Sequence, residues 1–294
     1  MFYRRKVILA LLQTFGGELE KIRLQKLLFL FSKNQEKPVY DFIPYKYGCY
    51  SYSATADMTA MVKREFLTSD EKHYRAIDTQ DYVAQLKEDD RRILLAMKGM
   101  YRSMSSNDLM EYTYKQFPFY ATRSEVASSI LDAESYQQVL DSKPTSNKTI
   151  LFTIGYEGIS LEEYLVRLLQ NDVKMLVDVR NNPLSMKYGF SKSQLERYCK
   201  SIDIKYIHLP EVGIQSNQRR ELKTQEDYDA LFEVYRKENL PSTISTQSRI
   251  VELLRQHKRI ALTCFESNIC QCHRKHLAEA IEMLPDFTYT VQHI

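Results

Sequence analysis

Apolar residues follow two different rhythms along this chain. In the first half they recur at helical spacing: Ile22, Leu24, Leu27, Leu28 and Phe31 give one apolar face to a helix expected over Leu19–Ser32, behind a Gly16–Gly17 turn and a first helix over Arg4–Leu12. The stretch VYDFIPYKYGCYS breaks that period with alternation, Pro44 and Gly48. A helix over Ala54–Phe66, a strand in KHYRAID and helices near 80–101, 106–116 and 123–131 are then expected. Two helices, a third helix and a small β element in this order are what a winged helix requires, so residues 1–140 read as a mostly helical, winged-helix-like domain.

The rhythm changes after DSKPTSNK, residues 141–148, a polar stretch with Pro144 that reads as a linker. From 149 to 294 short, continuous apolar runs alternate with amphipathic ones. Strands are expected in ILFTIGYEG, KMLVDVR, KYIHLP and KRIALTCFE. Helices are expected over Leu161–Gln170, Ser191–Ser201 with a serine N-cap, Gln225–Glu238, Thr246–His257 and Cys272–Met283. Apolar strands separated by helices imply a mainly parallel sheet covered on both faces, a three-layer α/β domain.

A chain of 294 residues is long enough for two such domains. The net charge of +3 says little, but residues 1–50 hold nine Lys and Arg against four Asp and Glu, whereas residues 151–294 hold 19 of each. The basic excess therefore belongs to the first domain, where it fits a DNA, RNA or protein partner. Val7–Leu12 after Arg4, Arg5 and Lys6 resembles the start of a signal peptide. It is too short, however, and runs into Gln13 and Gly16–Gly17 with no cleavage-like stretch, so a cytoplasmic protein without membrane contact is expected. Five cysteines, an odd number, are expected to be reduced thiols.

Ligands of open α/β sheets bind beyond the carboxyl ends of the strands. All four expected strands end there in polar, ionisable or glycine residues: Tyr156 and Glu157; Asp178 and Arg180; His208 and Glu211; Cys264 and Glu266. The stretch CFESNICQCHRKH, residues 264–276, allows four readings. Cys264, Cys270, Cys272 and His276 offer four zinc donors, but their spacing is not that of a structural zinc knuckle, so no metal is expected. Cys272 at a helix start beside His273 and Arg274 would have a lowered thiol pKa. His273 and Arg274, faced by Arg180, would hold a phosphate or carboxylate without any nucleophile. The fourth reading is three packed cysteines. The anion pocket is favoured.

IRLQKLLFLFSKN with YDFIPYKYGCYSYSATADM resembles the Panacea (SocA-like) modules of bacterial antitoxin-like and regulatory proteins over about the first 70 residues, with Cys49 where a proline is expected. TIGYEG, VDVRNNPLSMKYGFSKSQLERYC, IKYIHLPEVG and LTCFESNICQCHRKHLAE, in that order over 150–285, resemble the domain-of-unknown-function 488 family. That resemblance implies a site built from Tyr156, Glu157, Asp178, Arg180, Pro183, Ser185, Cys264, Glu266, Cys272, His273 and Arg274, but no reaction. Glu157, Asp178, Glu266 and Cys272 would be the catalytic groups, and Tyr156, Arg180, Ser185, His273 and Arg274 would bind the anion. The expected function is a nucleotide- or nucleic-acid-processing enzyme that takes a phosphate-bearing ligand, needs no cofactor and forms a homodimer. Two alternatives stand beside it: a non-catalytic ligand sensor or antitoxin-like regulator, and a rhodanese-like sulfur carrier using Cys272.

Overall fold

The computed structural model describes residues 1–215, 218, 222 and 224–294. The chain divides into two compact units, Met1–Lys143 and Pro144–Ile294.

In the first unit α1 (Tyr3–Thr14), β1 (Glu18–Glu20), α2 (Lys21–Asn34), β2 (Ile43–Tyr45), β3 (Gly48–Tyr50), α3 (Tyr52–Lys63), β4 (Leu67–Ser69) and β5 (His73–Ala76) are followed by four helices. These are α4 (Glu88–Tyr101), α5 (Ser106–Gln116), α6 (Ala127–Ile130) and α7 (Ala133–Asp141). The sheet order β1-β5-β4 is antiparallel, and β2 and β3 form a separate hairpin. The run Val7–Leu12 lies wholly in the core, as do Leu24–Ser32 of α2, a helix buried nearly all round. The helix expected from Leu19 starts at Lys21 because Glu18–Glu20 pair with His73–Arg75. The helix expected over 80–101 starts only at Glu88, since Asp78 and Asp81 accept from the amides of Gln80 and Ala84 and hold that stretch in turns. The helix expected over 123–131 shrinks to α6, and α7, capped by Asp132, lies where none was expected.

Lys26 is 1% exposed, and its amine donates to the carbonyls of Tyr47 and Cys49 while lying 3.4 Å from Cys49 Sγ. Burial pulls its pKa down. Gly48, at φ +84°, makes the room: a Cβ there would stand 2.3 Å from Tyr114 Cε1 and 2.8 Å from Lys26 Nζ. Four other basic residues of this end are also engaged. Arg4 and Arg5 both pair with Asp57, at 2.5 and 2.7 Å, Arg23 donates to the Arg102 carbonyl, and Lys46 meets Glu125.

The second unit is built from β6 (Ile150–Gly155), α8 (Leu161–Gln170), β7 (Met175–Asp178), α9 (Lys192–Ser201), β8 (Lys205–His208), α10 (Gln225–Val234), α11 (Leu240–Ser242), α12 (Ile244–His257), β9 (Arg259–Cys264), α13 (His273–Glu282) and β10 (Thr290–His293). All five strands are parallel, in the order β10-β6-β9-β7-β8. Every residue of β6, β7 and β9 is buried. Leu151, Val177, Ile260 and Leu262 pack with Phe232 of α10, Val251 and Leu254 of α12 and Leu277 and Ile281 of α13. Thr263, of opposite parity, accepts a 2.8 Å bond from Tyr164 of α8, so helices cover both faces. The fold is thus α/β with a parallel sheet, with one strand more than expected, since β10 adds beside β6. The helix expected over 225–238 gives way at Tyr235 to a single wide π-type turn before α11. The polar residues after Pro144 are fastened to this unit: Arg259 donates to Ser146 Oγ and the Lys148 carbonyl, and the Ser146 amide donates to Asp172.

Candidate functional site

The carboxyl ends of β6, β7, β8 and β9 carry one connected set of polar contacts. Asp178, the last residue of β7 and fully buried, accepts from Arg180 Nε at 2.8 Å, Arg180 Nη2 at 2.5 Å and Tyr206 OH at 2.7 Å. Arg180 Nη1 donates onward to Tyr156 OH at 2.7 Å and to the Phe190 carbonyl at 2.8 Å. Its guanidinium lies over the Tyr156 ring, which stacks on Phe190 at 4.3 Å between centroids. Burial alone would lower the Arg180 pKa, and the bonds and charges of Asp178 and Tyr156 together outweigh it, so the pKa ends up raised. His208 Nε2 closes the set against the Arg180 carbonyl at 2.8 Å.

Above this lies a cavity of about 350 Å³, lined by Tyr156, Arg180, Ser185, Cys264, Phe265 and His273 together with Asn181, Asn182, Leu184, Met186 and Ile214. Its base is polar and its lip is apolar: Leu184 is 78% and Met186 104% exposed, and Phe265 is exposed as well.

The loop from Cys264 to Arg274 is held from several sides. The Phe265 carbonyl accepts from the Tyr156 and Glu157 amides at 3.0 and 2.9 Å. Glu157 accepts from the Ser267 amide and hydroxyl, and Arg274 Nη1 donates to the Glu266 carbonyl at 2.5 Å. Gly155 lets the loop cross the end of β6, because a Cβ there would stand 2.0 Å from the Glu266 carbonyl oxygen. Within the loop, Cys264 Sγ donates to Glu266 Oε2 at 3.1 Å and lies 3.6 Å from His273 Nδ1. His273 Nε2 meets the Val179 carbonyl at 3.0 Å.

A known family enters at this point. Residues 160–281 match the model of the family described as Domain of unknown function DUF488. Comparison with curated proteins and with solved structures finds no match. The DUF488 match runs from just before α8 into α13, and so takes in Asp178, Arg180, Ser185 and the whole Cys264–Arg274 loop, while Tyr156 and Glu157 lie just before it.

Of the expected site residues, Tyr156, Arg180, Ser185 and His273 line the cavity, and Asp178 lies beneath it, bonded to Arg180. Glu157 and Arg274 are bonded to the loop, Glu266 accepts from Cys264, and Cys272 is buried at the start of α13. The lowered pKa expected for the Cys272 thiol is corrected: burial and the neighbouring Cys264 raise it well above the usual thiol value. The four zinc donors considered from sequence do not come together. Cys270 is exposed, and His276 faces Glu279 at 3.2 Å and Arg236 at 3.3 Å. Instead, a trio gathers one ligand atom each from Cys264, Cys272 and His273, all within 4.8 Å of one another. Sequence reasoning missed the apolar lip and the Tyr206 hydroxyl on Asp178. Tyr206 and His208 share one face of β8, and that period-two pairing was the available signal.

Among the described residues, no helix is long and apolar enough to cross a membrane.

Proposed function

We propose that this protein is a ligand-responsive regulator, in which the second unit binds a small phosphate- or carboxylate-bearing ligand and the first unit docks on a partner. The carrying observation is the cavity itself. Ser185 and two asparagines, beside Tyr156 and an Arg180 already paired with Asp178, form a polar base for an anionic head, and Leu184, Met186 and Phe265 form a lip suited to a flat or apolar body such as a nucleobase. Acid–base catalysis has weaker support: Asp178 is enclosed by Arg180 and Tyr206, and Glu157 is bonded to Ser267.

For the first unit, a winged-helix-like reading draws support from the order α1–β1–α2–β2–β3–α3–β4–β5 with β1 paired to β5, although the β2–β3 hairpin stands between α2 and α3. A protein partner is favoured over DNA because Arg4, Arg5, Arg23, Lys26 and Lys46 are engaged within the unit and α3 carries only Lys63 as a basic residue. DNA binding that falls steeply with salt would overturn that preference.

The ligand reading is tested by thermal shift against a panel of nucleotides and sugar phosphates. At least one member should raise Tm, and Ser185→Ala should weaken it by tenfold or more, because a hydrogen bond to a charged group contributes roughly 1.5–3 kcal/mol. A panel without effect, or binding indifferent to Ser185→Ala, would end this reading.

A further inference from the structure

We infer that Cys264 Sγ, Cys272 Sγ and His273 Nδ1 form a zinc site whose fourth coordination position faces the cavity. The donors are placed by two features of the fold, the end of β9 and the start of α13. Cys264 is the last residue of β9, Cys272 is the N-cap of α13, and His273 is the first residue of that helix. All three side chains are buried, their donor atoms lie within 4.8 Å of one another, and Cys264 and His273 line the cavity.

The spacing fits the metal. With Zn–S near 2.3 Å and Zn–N near 2.0 Å, a tetrahedral ion sets sulfur and nitrogen about 3.5 Å apart. Cys264 Sγ and His273 Nδ1 are 3.6 Å apart. The histidine is also oriented as a ligand. Its Nε2–H donates to the Val179 carbonyl at 3.0 Å, which leaves the lone pair of Nδ1 on the side of the thiols. A backbone carbonyl holding the far nitrogen of an imidazole is the usual second partner of a metal-bound histidine.

Charge and protons balance. Zinc displaces one proton from each thiol and forms two Zn–S bonds and one Zn–N bond, so two thiolates neutralise the dication in a buried place. Glu266 Oε2, 3.1 Å from Cys264 Sγ, is placed to receive the proton that leaves that thiol, and the second goes to solvent. Glu157, Arg274 and Gly155 then act as positioning residues, because each fixes the loop that carries the donors. Three protein donors with a fourth position open to a cavity is the pattern of zinc sites that bind an exchangeable ligand rather than of closed structural ones.

The test is a titration of the reduced, metal-free full-length protein with cobalt(II) and, separately, zinc. One equivalent of cobalt should bind with an intense thiolate-to-cobalt absorption band, displaced stoichiometrically by zinc, and thiocyanate should perturb its visible spectrum through the open position. Cys272→Ser and His273→Gln should each weaken binding at least tenfold, while Cys270→Ser, altering an exposed cysteine outside the trio, should bind as wild type does. The wild-type titration decides the matter even if a variant fails to fold. Absence of a thiolate–cobalt band, a band retained in both Cys272→Ser and His273→Gln, or a band lost in Cys270→Ser would overturn the site. A spectrum indifferent to thiocyanate would overturn the open position. The ligand reading rests on Tyr156, Arg180 and Ser185, none of them a metal donor, so the two proposals fail separately.

Discussion

Asp178 organises the polar end of the sheet through both carboxylate oxygens, and its side-chain partners are Arg180, two residues beyond it, and Tyr206 of the neighbouring strand β8. Removing one member of such a buried pair leaves the other charge uncompensated, at a cost of about 3–5 kcal/mol. Asp178→Ala should therefore lower the unfolding free energy of the second unit by that amount, measured by guanidinium denaturation, and Arg180→Met made in the same chain should restore part of it. If the double variant is as unstable as the sum of the single changes, the pair is not the source of the loss. Gly155→Ala tests the neighbouring contact. Its Cβ would meet backbone rather than a flexible side-chain end, so the Cys264–Arg274 loop has to shift, and the change should cost on the order of 2 kcal/mol or more. A Tm unchanged by Gly155→Ala would show that the loop crosses elsewhere.

At the level of elements, several helices and turns are fastened by tyrosines whose hydroxyls do not ionise readily. Tyr3 of α1, pushed up to about 12 by burial and by its bond to Asp90 of α4, joins those two helices. Tyr82 is raised to about 12 by burial and Asp78, and Tyr120 to about 12 by burial. A folded pKa above the free value of 10 contributes stability that is complete below pH 10 and is lost as the pH rises toward 12. With no tryptophan in the chain, near-ultraviolet tyrosinate absorbance reads this directly. An alkaline titration should show a late class of tyrosines that appears together with loss of helical circular dichroism, and a single class near 10 would contradict these contacts.

The elements also differ in how openly the sequence shows them. Helix α8 is bounded by Ser160, whose hydroxyl caps the Glu163 amide, and its apolar stripe is plain. Strand β10, an edge strand mostly exposed, has no apolar run to announce it. At the site, the strand ends were readable as polar positions, but the roles of Glu157 and Arg274 were not. Arg274 meets main-chain carbonyls, and Glu157 meets the amide and hydroxyl of Ser267 more than a hundred residues away. Carbonyls and amides have no residue-type signature.

For the molecule as a whole, the division at Lys143 predicts that a fragment ending there keeps its own core and melts cooperatively, as calorimetry would show. A fragment without a thermal transition would mean that the first unit depends on the second. The interior position of β6, between β10 and β9, has a consequence for synthesis. Its neighbours are β9 and β10, and β9 begins more than a hundred residues later in the chain. At ribosomal speeds of about 5–20 residues per second, the segment ILFTI emerges and waits roughly 5–20 s with both edges unpaired. Nascent chains stalled between α8 and α12 should therefore be the ones that recruit chaperones.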